Sequence, residues 1–125
     1  MKTILLIEDD SEMRENIAEI LEVANYHVIT AEDGKEGVER ALTSATDLII
    51  SDISTPTLNG FDTLRDLEKY KTVKEIPVIF LTGRYEKAFR KRSYDLNADV
   101  YMSKPLDGNE FLKIVAEKIK SPLIR

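Results

Sequence analysis

There is no cysteine in the 125 residues of this chain. That absence removes disulfides, thiolate metal sites and a cysteine nucleophile, and it fits a reducing compartment. Histidine is nearly missing as well. The one histidine, His27, falls in a short strand-like run without a catalytic partner close in sequence, so it reads as an ordinary strand residue. An excess of base is lacking too: 18 Lys and Arg stand against 23 Asp and Glu, for a net charge of −5. A domain of that charge is not expected to offer a nucleic-acid surface, and a DNA-binding role would need a further domain. The longest apolar runs, such as Val78 to Leu81, fall far short of a bilayer span, and Met1-Lys2 leads directly into a strand-like segment. A cytoplasmic protein without membrane contact is expected. No Gly/Ser-rich linker, low-complexity run or internal repeat interrupts the chain, so residues 1–125 are expected to form one domain.

What is present is an alternation of short apolar runs and helical patterns. Thr3 to Ile7 is the first strand, ending on Glu8-Asp9-Asp10. Met13, Ile17, Ile20, Leu21 and Ala24 then recur at helical spacing, with Glu12, Arg14, Glu15, Glu19 and Glu22 on the other side, and Asp10 or Ser11 caps this first helix. His27 to Thr30 reads as a second strand. Asp33-Gly34-Lys35-Glu36 opens a second helix with an acid three residues after the cap, and Val38, Ala41, Leu42 and Ala45 form its expected buried stripe. Leu48, Ile49 and Ile50 lead a third strand to Asp52, after which Pro56 and Gly60 punctuate a loop. Phe61, Leu64 and Leu67 mark a third helix, Val78 to Thr82 a fourth strand, and Tyr85 to Leu96 a fourth helix. Asp99 to Met102 form a fifth strand before Ser103-Lys104-Pro105. A fifth helix opens on the Asp107/Glu110 spacing and turns Phe111, Leu112, Val115 and Ile119 inward. Five strand-helix units with crossovers of this length predict an α/β fold built on a parallel sheet, with helices on both faces.

The strand ends carry the chemistry. Glu8 and Asp9 follow the first strand, Asp52 ends the third, Thr82 the fourth, and Lys104 follows the fifth. Parallel strands bring these ends to one edge of the sheet, where open α/β folds bind ligands. Carboxylates gathered there repel one another, and a cation among them relieves the repulsion. Oxygen ligands without His or Cys favour a hard ion, and Mg²⁺ suits a few carboxylates plus water and an incoming phosphate. Lys104 adds a mobile positive charge and Thr82 a hydroxyl donor, so the set reads as a phosphoryl acceptor site.

These residues identify a likeness. The chain resembles the chemotaxis-regulator-like receiver domain of two-component response regulators over essentially its whole length. The likeness rests on Glu8-Asp9, the Asp52/Pro56/Gly60 spacing, Thr82-Gly83, Tyr101 three residues before the lysine, and Lys104-Pro105. It implies a doubly wound (βα)5 flavodoxin-like domain of sheet order 2-1-3-4-5. It implies that Asp52 takes a phosphoryl group from a sensor histidine kinase or phosphotransfer protein. Mg²⁺ would be held by Asp9, Asp52 and the backbone carbonyl of Ser54, with Glu8 acting directly or through water. Thr82 and Lys104 would bind phosphoryl oxygens, and Thr82 with Tyr101 would form the switch toward a downstream effector domain or protein. The basic face of the fourth helix would then serve as a docking site for an acidic partner, or as half of a salt-bridged homodimer through the fourth helix, fifth strand and fifth helix. Such a receiver is not an enzyme in the ordinary sense, since it catalyses only its own phosphoryl transfer and the hydrolysis of its aspartyl phosphate.

Other readings meet specific obstacles. A flavodoxin-like electron carrier needs a phosphate loop after the first strand, whereas Glu8-Asp9-Asp10 repels phosphate without a metal. An aspartyl phosphatase typically carries a second acid two residues after the nucleophile, and Ser54 holds that place. A phosphorylation-independent interaction or dimerisation module with the same fold is the remaining alternative. Asp10 reads as a helix cap, and the basic run Arg84, Lys87, Arg90, Lys91, Arg92 as a solvated helix face or, failing that, a partner surface.

Overall fold

The computed structural model describes residues 1–52, 76–82, 100–103 and 108–120. Strands β1 (Thr3–Ile7), β2 (His27–Ala31), β3 (Leu48–Asp52), β4 (Val78–Thr82) and β5 (Val100–Ser103) form one parallel sheet of order β2-β1-β3-β4-β5. The described helices are α1 (Ser11–Val23), α2 (Gly34–Thr43) and α3 (Gly108–Lys120), the last being the expected fifth helix. The helices expected near residues 61–67 and 85–96 lie outside the described residues.

Both faces of the sheet are covered, which is why its strands are continuously apolar rather than alternating. Along β1, Ile4 and Leu6 face one way and Leu5 and Ile7 the other, and all four are fully buried. Ile4, Leu6, Leu48, Ile50, Ile79 and Leu81 pack under Ile17, Ala18 and Leu21 of α1 and under Phe111, Val115 and Ile119 of α3. Leu5, Ile7, Ile49, Val78 and Phe80 pack under Val38 and Ala41 of α2. Each fully buried Leu, Ile or Phe contributes about 1.5–3 kcal/mol. No described helix is long and apolar enough to cross a membrane.

The ends of α1 are set by local chemistry. Asp10 Oδ1 accepts from the Glu12 and Met13 backbone N–H groups at 3.0 and 3.1 Å, satisfying two donors that the first turn cannot pair internally. At the other end Asn25 takes a left-handed φ of 70°, which asparagine tolerates better than most residues. Asn25 N–H then reaches the Glu22 carbonyl at 3.0 Å and Tyr26 N–H the Leu21 carbonyl at 3.1 Å, closing the helix and turning the chain into β2.

Helix α2 departs from the expected stripe. It begins as expected, with Asp33 accepting from Glu36 N–H at 2.9 Å, but buries Gly34, Gly37, Val38 and Ala41. Leu42 is 40% exposed and Ala45 is exposed beyond the helix end, where Ser44 is already extended at φ −129°, ψ 144°. The reason is close approach: a Cβ on Gly37 would overlap Cδ1 of Ile7 and lie 2.8 Å from its Cγ1. Contact at a glycine rotates the helix so that its smallest residues meet the sheet. Because Ile7 is fully enclosed, its side chain has nowhere to retreat. Gly37→Ala gains about 1 kcal/mol of helix propensity and incurs about 1–3 kcal/mol of overpacking. The variant is expected to have a lower urea midpoint, and an equal or higher midpoint would show that Ile7 can repack.

Candidate functional site

Sheet order and register bring two acids side by side. β1 and β3 are neighbours with Ile7 opposite Ser51, so the next residues along, Glu8 and Asp52, stand together at the carboxyl edge. Asp52 follows Leu48 and Ile50 in the strand alternation and so falls on the α1 and α3 side of the sheet. Glu8 continues Ile4 and Leu6 onto that same side. This position, between strands from which the chain winds off in opposite directions, is the crevice where doubly wound sheets bind ligands.

Glu8, Asp9 and Asp52 each offer a carboxylate oxygen within 4.8 Å of the others. Glu8 is fully buried and Asp52 is 6% exposed, while Asp9 opens to solvent. Two oxygens at about 2.1 Å from one small ion can be at most about 4.2 Å apart, so the three could share an ion after a small adjustment or through a bridging water. An all-oxygen, mostly buried and anionic donor set suits a hard divalent cation such as Mg²⁺.

The turn carrying two of these acids is held from several sides. Glu8 N–H donates to the Ala31 carbonyl at 3.0 Å, extending the β1–β2 pairing by one residue. The Glu8 carbonyl accepts from Arg14 Nη1 at 2.9 Å, and Arg14 Nη2 lies 3.9 Å from Glu32 Oε1. Ser51, buried at 1% exposure, turns its hydroxyl onto the Asp52 carbonyl at 3.2 Å. Sequence patterning missed Arg14, which it set on the outer face of α1. The available signal was its place in the first turn after the strand end, where a long side chain leans back toward the helix N-terminus.

The remaining expected residues are placed in part. Thr82 ends β4 with its backbone opposite Ser103, and Tyr101 lies in β5 opposite Phe80, but both side chains fall outside the described residues. Lys104, the residue after Ser103, and Ser54 also lie outside the described residues, as does the basic run from Arg84 to Arg92. Asp10 is occupied as a helix cap and His27 is a strand residue, as expected for both; His27 is exposed, at the far end of β2 from the acids.

A doubly wound parallel sheet with a cation-ready acidic group where β1 meets β3 defines a class of phosphate-handling α/β domains. Residues 4–116 match the family model of the response regulator receiver domain, and the chain belongs to that family. A probable transcriptional regulator, ycf29, of Pyropia yezoensis is 37% identical over 122 residues, covering 98% of this chain and 55% of that protein. CpxR, a transcriptional regulatory protein of Escherichia coli K12, is 36% identical over 112 residues, covering 90% of this chain and 47% of that protein. The chain thus spans about half the length of these curated relatives. Among solved structures, the Vibrio cholerae chemotaxis protein CheY4 superposes with a TM-score of 0.90 at 26% identity, covering 94% of this chain and 98% of that one. The receiver domain of the Pseudomonas aeruginosa sensor histidine kinase PA1611, with magnesium coordinated in its active-site cleft, gives 0.89 at 27% identity, covering 96% and 98%.

Proposed function

We propose that this chain is the phosphoacceptor receiver of a two-component phosphorelay and that Asp52 is the acceptor. The observation that carries the reading is the gathering of Glu8, Asp9 and Asp52 within 4.8 Å at the edge between β1 and β3. A carboxylate oxygen of Asp52 attacks phosphorus, the phosphorus–nitrogen bond of the donor phosphohistidine breaks, and the imidazole leaves to recover a proton from water. Asp9, Asp52 and the Ser54 carbonyl, with Glu8 directly or through water, would hold a divalent ion, which when bound would supply charge neutralisation for the phosphoryl transfer. Lys104 and the Thr82 hydroxyl bind phosphoryl oxygens, and movement of Thr82 with Tyr101 changes the surface around the fourth expected helix, β5 and α3. That surface passes the signal to an effector domain or protein, or pairs with a second copy. Water then hydrolyses the aspartyl phosphate and restores Asp52. The protein works in the cytoplasm, in keeping with its cysteine-free composition.

Incubation with Mg²⁺ and a small acyl phosphate should add one phosphoryl group per chain, and EDTA should suppress it. No adduct under these conditions would favour the phosphorylation-independent module. Lifetime is expected to depend on Arg84, two residues after Thr82, whose cationic side chain would obstruct the line of water attack, while the small Ser54 leaves room. Arg84→Ala should therefore lose label faster at fixed Mg²⁺, and an unchanged or slower decay would leave Arg84 a surface charge.

A further inference from the structure

Arg14 stands where a cation is not favoured. It lies in the first turn of α1, at the positive end of the helix dipole, yet its side chain is only 16% exposed. Its partner Glu32 is 72% exposed and 3.9 Å away, a geometry that contributes little. The specific contact is the charge-assisted hydrogen bond to the Glu8 carbonyl at 2.9 Å.

We propose that Arg14 is a positioning residue for the cation site, holding the Glu8-Asp9-Asp10 turn in the conformation that presents Glu8 and Asp9 to the ion. The proposal rests on the cation reading of the acidic group. The Glu8 carbonyl and the Asp9 N–H share one planar peptide unit, so fixing the carbonyl fixes the direction in which the chain enters Asp9. On one side of that unit, Glu8 N–H is tied to Ala31 at 3.0 Å. On the other, Asp10 is tied to α1 through its side chain and through its carbonyl, which accepts from Arg14 N–H at 2.8 Å. Arg14 thus grips the turn twice, by backbone and by guanidinium. It holds this exposed acid between two anchored neighbours before any ion arrives.

The proposal and a purely electrostatic role predict opposite signs. If Arg14 were only a nearby positive charge, removing it would make the site more anionic and tighten cation binding. If Arg14 positions the turn, removing it weakens binding, and loss of such an outer partner typically costs 10–100-fold in metal affinity. The test is Mn²⁺ affinity of the intact chain, read by electron paramagnetic resonance of the free ion. Arg14→Met, which keeps the stem and drops the charge, should bind at least about 10-fold more weakly. Arg14→Lys should also bind more weakly although the charge is kept, because the planar fork is lost. Glu32→Gln should stay within about twofold of wild type. Unchanged or tighter binding in Arg14→Met overturns the proposal. If that variant does not fold, wild-type affinity in Arg14→Lys overturns it equally. Failure of the wild type to bind Mn²⁺ would instead remove the cation reading on which the proposal stands.

Discussion

Asp52→Asn is expected to carry no phosphoryl group after incubation with Mg²⁺ and a small acyl phosphate, while Asp10→Asn labels as wild type does. The amide matches the carboxylate in shape but lacks its nucleophilic oxygen, so the loss should reach background rather than a fractional rate. The variant should still fold. Asp52 and Glu8 are 6% and 0% exposed with oxygens within 4.8 Å, so two like charges there disfavour each other. Neutralising one relieves part of that strain, so the metal-free variant should match or exceed wild type in urea stability. The Asp10 control is informative because its carboxylate is engaged with the Glu12 and Met13 N–H groups. Asparagine caps helices about as well, so that change leaves both fold and acceptor in place. Labelling of Asp52→Asn at the wild-type level would move the chemistry to another acid.

The second large effect is expected from Asp9→Asn, which should abolish the response to metal while leaving the metal-free fold intact. Asp9 is the solvent-facing member of the group, so its removal empties no packed space. An ion that binds only the folded state stabilises it by RT ln(1 + [ion]/Kd), about 1.4 kcal/mol at ten times the dissociation constant. Wild type should therefore gain stability as Mg²⁺ rises, and Asp9→Asn should not. Labelling by acyl phosphate should fall with it, since the phosphoryl oxygens would meet Glu8 and Asp52 without neutralisation. An undiminished Mg²⁺ response in Asp9→Asn would place the ion elsewhere.

The strands were legible in the sequence because each is a short apolar run bounded by polar residues. Thr3–Ile7, Leu48–Asp52 and Val78–Thr82 form where the pattern places them. The cap Asp33 was legible because it precedes a helical period at the proper offset, whereas the pattern allows Asp10 or Ser11 as the cap of the first helix and the structure selects Asp10. The stripe of α2 was not. Gly34 and Gly37 carry no apolar side chain to register in a hydrophobic pattern, yet they are the residues that touch the sheet, so the pattern leaned toward Leu42 and Ala45. Glu8, Asp9 and Asp52 stood out because apolar strands end on them, but their adjacency depends on β1 lying beside β3 in register. Arg14 was hidden by a general feature of amphipathic helices. A charged residue on the polar side reads as solvated, and only the position of α1 over the end of β1 turns it toward the Glu8 carbonyl. Lys104 and Thr82 were legible as strand-end residues and Ser54 and Tyr101 only through the resemblance; Lys104, Ser54 and the side chains of Thr82 and Tyr101 lie outside the described residues.

The central claim, that the acid ending β3 is the phosphoacceptor, is tested most directly by locating the phosphoryl group itself. An aspartyl phosphate is reduced by borohydride to homoserine, which survives digestion and can be placed by sequencing peptides in a mass spectrometer. Wild-type chain labelled in the presence of Mg²⁺ should yield homoserine at position 52 and at no other acid. Homoserine at position 9 or 10, or a stable adduct on a hydroxyl or on His27 in its place, would contradict the account.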